Sequence, residues 1–142
     1  MPMIQEKDRQ VIEERFQGMG GPATLVFFAQ ANDPPEHSEE MLAVMNELTD
    51  LSDHLDVTTY DFQTDSARVE QYGAERMPAI VVEGRKDYGV RYYGFPFGHE
   101  FTAFIDDIVD VSTGESGLSV NTQERLSSLT APIHLRVFST PT

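Results

Sequence analysis

Hydrophobic positions along the chain change period several times, and each change marks an element. Ile4, Val11, Ile12 and Phe16 recur at helical spacing until Gly18-Met19-Gly20-Gly21-Pro22 stops them, which predicts an opening helix. Thr24-Leu25-Val26-Phe27-Phe28 is apolar on both faces, the pattern of a buried central strand. After a loop from Gln30 to Ser38, Met41, Val44, Met45, Leu48, Leu51 and Leu55 return at helical intervals. Glu36, Glu39 and Glu40 stand at or near the start of that helix, where the macrodipole favours carboxylates. Asp56 to Phe62 reads as a second strand, completing a βαβ unit whose strands should be parallel.

A short helix through Val69 and Tyr72, started by Thr64 or Asp65 and ended by Gly73, leads to Arg76-Met77-Pro78-Ala79-Ile80-Val81-Val82. A proline has no N–H for a ladder, so Pro78 belongs at the first residue of a strand or on an edge, and X-Pro is the bond where a cis peptide costs least. The turn Gly84-Arg85-Lys86-Asp87 and the stretch Tyr88 to Tyr93 make a hairpin. Gly94 and Pro96 end it, and Phe97, Phe101, Phe104, Ile105 and Ile108 line one face of a closing helix. From Ser112 to Gly117 the composition is that of a linker. Asn121 with Glu124 then suggests a capping box for a short helix carrying Leu126 and Leu129. Pro132 starts an alternating stretch, Ile133 to Phe138, which reads as a last strand with no partner of its own.

Composition narrows the function. The 142 residues suffice for one ordinary domain, and 39% hydrophobic content fits a soluble globular chain. No run reaches the ~20 apolar residues that span a bilayer, and the start carries no signal-peptide pattern, so the expected location is cytoplasmic. Net charge is −14, and Lys7 and Lys86 are the only lysines, which argues against nucleic acid or an anionic membrane as partner. The acidity is either an ordinary solubilising surface or adaptation to a high-salt cytoplasm. The cysteine count is zero, so no disulfide, thiolate nucleophile or sulfur-ligated metal is available.

A loop, a proline-started hairpin and a closing amphipathic helix resemble the second half of a thioredoxin fold, with Met77-Pro78 similar to its cis-proline. More specifically, Asp87-Tyr88-Gly89-Val90-Arg91-Tyr92-Tyr93-Gly94-Phe95-Pro96-Phe97-Gly98-His99-Glu100-Phe101 running on to Ser112 resembles the end of the first unit in glutaredoxin-like protein disulfide oxidoreductases, which join two thioredoxin folds in tandem. Tyr60-Asp61-Phe62 and Met77-Pro78-Ala79 agree with that likeness, and Leu135 to Thr142 is similar to the strand that leads into the second unit's CxxC motif. The resemblance implies a thioredoxin-like three-layer α/β sandwich, a central mixed sheet of about four strands with helices on both faces. It implies a first unit over residues 1–111, with residues 112–142 forming a linker, a short helix and the first strand of a second unit. In the family a CxxC can open the helix after the first strand; Pro35, Glu36, His37 and Ser38 stand there, so both cysteine positions are substituted.

The resemblance therefore implies a redox-inactive N-terminal unit, with thiol–disulfide exchange and redox homeostasis served by a second unit whose CxxC would begin just beyond Thr142. The chain would be either a piece cut at that point or a naturally truncated copy, with no enzymatic activity of that kind alone and no cofactor. The alternative is a stand-alone peptide-binding or scaffold module that uses a vestigial groove at Met77 and Pro78, pairing an extended peptide by strand addition. The expected partners are the second unit or another copy of the chain, together with an extended peptide or protein thiol substrate.

Other readings of the same residues are weaker. A hydrolase built on His37 and Ser38 needs a base aimed at the hydroxyl and an oxyanion hole, and Ser38 is better explained as a helix N-cap. Asp33, Glu36, His37, Glu39 and Glu40 have the look of a metal cluster, but carboxylates are expected at helix starts and no second histidine stands one turn away. No metal site is expected. His54, His99 and His134 are scattered, and Tyr88, Tyr92 and Tyr93 are candidates for contacts on either side of the sheet.

Overall fold

The computed structural model describes residues 2–140. Its elements run α1 (Glu6–Phe16), β1 (Ala23–Ala29), α2 (Ser38–Thr49), β2 (Leu55–Asp61), α3 (Ser66–Tyr72), β3 (Ala79–Glu83), β4 (Val90–Tyr93), α4 (His99–Thr113) and α5 (Val120–Ser127). The sheet order is β2-β1-β3-β4. β1 runs parallel to β2, and β3 is antiparallel to both β1 and β4. This is the mixed four-stranded thioredoxin-like sandwich that the resemblance implies.

Alternation along β1 and β3 divides the core between two layers. Leu25, Phe27, Ile80 and Val82 face α1, α2 and α4, where they meet Ile12, Phe16, Met41, Met45, Leu48, Phe104 and Ile108. Val26, Phe28, Ala79 and Val81 face the other way, toward Val69, Tyr72 and Ala74 at α3. Because both faces are covered, β1 needs no polar side, which accounts for its unbroken apolar run. Burial of each large side chain contributes about 1.5–3 kcal/mol, so Phe27, Phe28, Leu48 and Phe104, all essentially solvent-free, dominate the packing.

Polar ties fix the helices. The backbone N–H groups of Met3 and Ile4 donate to the Glu47 carboxylate at 2.6 and 3.0 Å, joining the start of the chain to α2. An Arg15–Asp106 ion pair joins α1 to α4. Gly84 is required by proximity: a Cβ there would lie 2.1 Å from the Val111 carbonyl oxygen, so β3 and α4 approach closely only because the side chain is absent.

The C-terminal stretch departs from the sequence reading in three respects. α4 continues through Thr113 and ends at Gly114, whose φ of 72° is the left-handed conformation a helix terminus favours, so the linker starts later than residue 112. α5 is capped by Ser119, which accepts from the Thr122 N–H at 3.2 Å, rather than by Asn121 with Glu124. Ile133 to Phe138 forms no strand. A strand is held by its neighbour, and no β-edge of the described residues pairs with this segment, so Leu135, Val137 and Phe138 remain more than four-fifths exposed. The remainder of the second-unit likeness, Pro141 and Thr142, lies outside the described residues, as does Met1 at the other end. Among the described residues no helix is long and apolar enough to cross a membrane.

Candidate functional site

The end of β1 and the start of α2 are joined by the loop that carries Pro35, Glu36 and His37. Ser38 N–H donates to the Pro35 carbonyl at 3.1 Å, closing a turn, and Met41 N–H donates to the His37 carbonyl at 2.9 Å, beginning the helix. His37 enters with φ 65°, the only non-glycine residue with positive φ among those described. That conformation costs a β-carbon residue free energy that the surrounding turn must offset. It directs the imidazole outward: Nε2 lies 3.5 Å from a Glu36 carboxylate oxygen, Nδ1 lies 3.8 Å from one of Glu40, and the ring meets the edge of Phe97 at 6.0 Å between centroids.

Ser38 points into different surroundings. It is 5% exposed, and its Oγ has no hydrogen-bond partner among the described residues. The structure therefore corrects the N-cap reading: His37 occupies the cap position, Ser38 is the first helical residue, and no side chain caps α2. The two prolines and the left-handed His37 advance the helix start by one position. With Oγ unpartnered and His37 turned outward, the pair has no nucleophile–base geometry. Asp33, Glu36, Glu39 and Glu40 are exposed along the same loop. Among the described residues no three His, Asp or Glu side chains are placed to share a metal ion.

Met77 and Pro78 sit at the same end of the sheet. Phe28 pairs with Ala79, so the turn before β3 and the loop after β1 leave the sheet side by side. The Met77–Pro78 peptide is cis. Among the described residues no hydrogen bond uses the Met77 backbone, whereas the Pro78 carbonyl accepts from Gly94 N–H at 3.0 Å. The segment leading to it is braced by groups whose role was not evident in the sequence. Tyr93 Oη accepts from Glu75 N–H at 3.3 Å, and the Arg76 guanidinium covers the Tyr93 ring at 4.8 Å. Arg91 donates twice to the Tyr72 carbonyl, at 3.1 and 2.9 Å, and grips Asp87 with both terminal nitrogens, at 2.8 and 2.5 Å. That guanidinium holds the Asp87 carboxyl below the usual carboxylate range. The three tyrosines of the hairpin divide accordingly: Tyr92 faces α4, Tyr93 faces the α3 side, and Tyr88 covers Gly114.

Two hollows flank α2. One, about 350 Å³, is lined by Met3, Ile4, Val44, Phe95, Phe97 and Phe101. The other, about 240 Å³, lies between the start of α2 and the ends of β1 and β2. Neither was legible in sequence, because each is made by residues from segments far apart along the chain.

Comparison with known proteins agrees with this architecture. No family model matches the chain. Over 137 residues, 96% of this chain, it is 23% identical to the alkyl hydroperoxide reductase component AhpF of Staphylococcus epidermidis, and it spans about a quarter, 24%, of that protein's length. Among solved structures, the alkylhydroperoxide reductase AhpF of Enterococcus faecalis matches with a TM-score of 0.79 and 26% identity, over 89% of this chain and 61% of that one. An N-terminal domain of the same Enterococcus protein matches with a TM-score of 0.74 and 25% identity, over 87% and 59%. A protein disulfide oxidoreductase from Aeropyrum pernix matches with a TM-score of 0.75 and 28% identity, over 88% and 55%. The chain is thus a thioredoxin-like unit whose structural neighbours are N-terminal domains of AhpF and a protein disulfide oxidoreductase, and it contains no cysteine.

Proposed function

We propose that this chain serves as a redox-inactive thioredoxin-fold unit beside a second, cysteine-bearing unit that performs thiol–disulfide exchange in the cytoplasm. The observation that carries the reading is the chemistry at the start of α2. Thioredoxin-type exchange needs a thiolate there and a second thiol within reach to resolve the mixed disulfide. The positions hold Pro35, Glu36, His37 and Ser38, inside a fold otherwise similar to redox proteins that are longer than this chain. The unit's part is then to brace its neighbour and hold protein substrate against it. The exposed apolar side chains from Leu126 to Phe138 supply surface for that contact.

A second reading, a peptide-binding module in its own right, is favoured by the unengaged Met77 backbone. An N–H and a C=O left unengaged at the sheet end are the groups that strand addition uses. Insulin reduction by dithiothreitol distinguishes the two. The chain alone should leave the rate at background, and the chain linked to its cysteine-bearing neighbour should accelerate it beyond the neighbour alone. Acceleration by the cysteine-free chain overturns both readings, whereas a linked pair no faster than the neighbour favours the peptide-binding module.

A further inference from the structure

The charged side chains of this fold are placed so that few of them cancel. Of the ten lysines and arginines, only Arg15 and Arg91 form ion pairs with carboxylates among the described residues, Arg15 with Asp106 and Arg91 with Asp87. Others are engaged by aromatic rings: Arg68 lies over Tyr60, Arg76 over Tyr93 and Lys86 over Tyr88. Most of the 24 carboxylates therefore have no lysine or arginine partner.

These carboxylates stand close to one another and at unfavourable helix ends. Asp106, Asp107 and Asp110 follow one another along α4, where residues three and four apart are neighbours at about 5–6 Å between β-carbons. Asp110 stands in the last turn, at the negative end of the helix dipole, and no basic residue accompanies it there. Desolvation, and then Asp107 and Asp106, hold its carboxyl above the usual carboxylate range. α2 ends in the same way, with Glu47 in its last turn, Asp50 at its C-cap and no basic residue between them. At its other end Glu39 and Glu40 share the first turn, with Asp33 and Glu36 exposed just before it. The dipole favours each of these singly, but they repel one another.

Folding gathers this charge on a body whose net charge is −14, whereas unfolding lets it spread. At 0.1 M salt the screening length is about 10 Å, longer than the spacing of the α4 carboxylates; at 1 M it is about 3 Å, shorter than that spacing. Salt thus relieves many repulsive pairs and weakens only two attractive ones, and exposed ion pairs contribute little. We infer that this fold is built for concentrated monovalent salt, on the order of 1 M, in which the surrounding ions complete the stability of the native state, and that dilute salt weakens it. The effect requires no ion at a fixed place, and it holds whichever unit carries the thiols.

The test is thermal unfolding between about 0.1 and 2 M KCl at neutral pH, for the chain and for a variant in which four exposed carboxylates are neutralised, Asp33→Asn, Glu36→Gln, Glu39→Gln and Asp110→Asn. The melting temperature of the chain should rise by at least about 10 °C across that range. The variant should melt higher than the chain in dilute salt and gain roughly half as much, so that the two converge near 2 M. No rise, or a fall, would mean that the two ion pairs outweigh the repulsion and overturns the inference. Equal rises in both proteins would mean that salt acts on apolar burial instead of on charge, and overturn it as well.

Discussion

Tyr92 Oη donates to Asp107 Oδ2 at 2.5 Å, joining the edge strand β4 to the middle of α4. The phenol is half-buried, and burial together with that bond pushes its ionisation well above that of a free tyrosine. Tyr72, which donates to Glu83 at 2.7 Å, is pushed up to about 12, again by burial first and then by its carboxylate partner. A folded-state pKa above the unfolded value near 10 means that the native state retains protons the unfolded chain has released. Stability is complete below about pH 10 and declines as pH rises toward and through 12. Denaturant titrations at pH 9 and 11.5 should show the decline, and Tyr92→Phe should flatten it while lowering stability at pH 7 by about 1 kcal/mol.

At the acid end two contributions have opposite signs. Asp61 and Asp87 have depressed folded pKa values, so their stabilisation is present above the unfolded value near 4 and is lost as pH falls through the folded values. Asp110 is raised, by desolvation and by Asp107 and Asp106 beside it, so its ionisation costs stability as pH rises above its unfolded value. Asp110→Asn should therefore stabilise the protein at neutral pH by a few tenths of a kcal/mol. Asp61→Asn should flatten the loss below pH 4. Melting temperatures between pH 2.5 and 7 measure both effects.

Ser38→Ala removes a buried hydroxyl that has no partner among the described residues, which should raise stability by about 1 kcal/mol. Thermal and urea unfolding should agree on the sign. A fall instead would mean that Oγ is satisfied in solution.

These sites show where sequence is informative and where it is not. The apolar run of β1 and the periodicity of α2 and α4 are dictated by burial within a few residues, so they can be read directly. The alternation of Ile133, Leu135 and Val137 is equally clear, yet it forms no strand, because pairing depends on a neighbour that periodicity does not specify. Ser38 has the right identity for a cap, but the turn closed on Pro35 and the left-handed His37 move it into the helix. The Arg91 knot and the cavity at α2 arise from segments brought together only by the sheet.

Gly84→Ala should be severely destabilising, by about 2–3 kcal/mol, because the new methyl group would overlap the Val111 carbonyl oxygen. The measurement is the urea midpoint at an unchanged slope.

Replacing Ile133, Leu135 and Val137 together with serine should leave the melting temperature of the folded body unchanged, since these side chains are exposed. Light scattering of the parent chain should show concentration-dependent dimers, and the triple variant should remain monomeric to higher concentration.

The brace around the turn before β3 bears on recognition. Tyr93 holds Glu75, Arg76 covers Tyr93, and Arg91 fastens the end of α3 to the hairpin turn through Asp87. The loop's shape is therefore set before any partner arrives, and its ordering entropy is already spent in folding. A peptide that docked at Met77 would have to adapt to the loop, so discrimination among partners would fall on their own readiness to become extended.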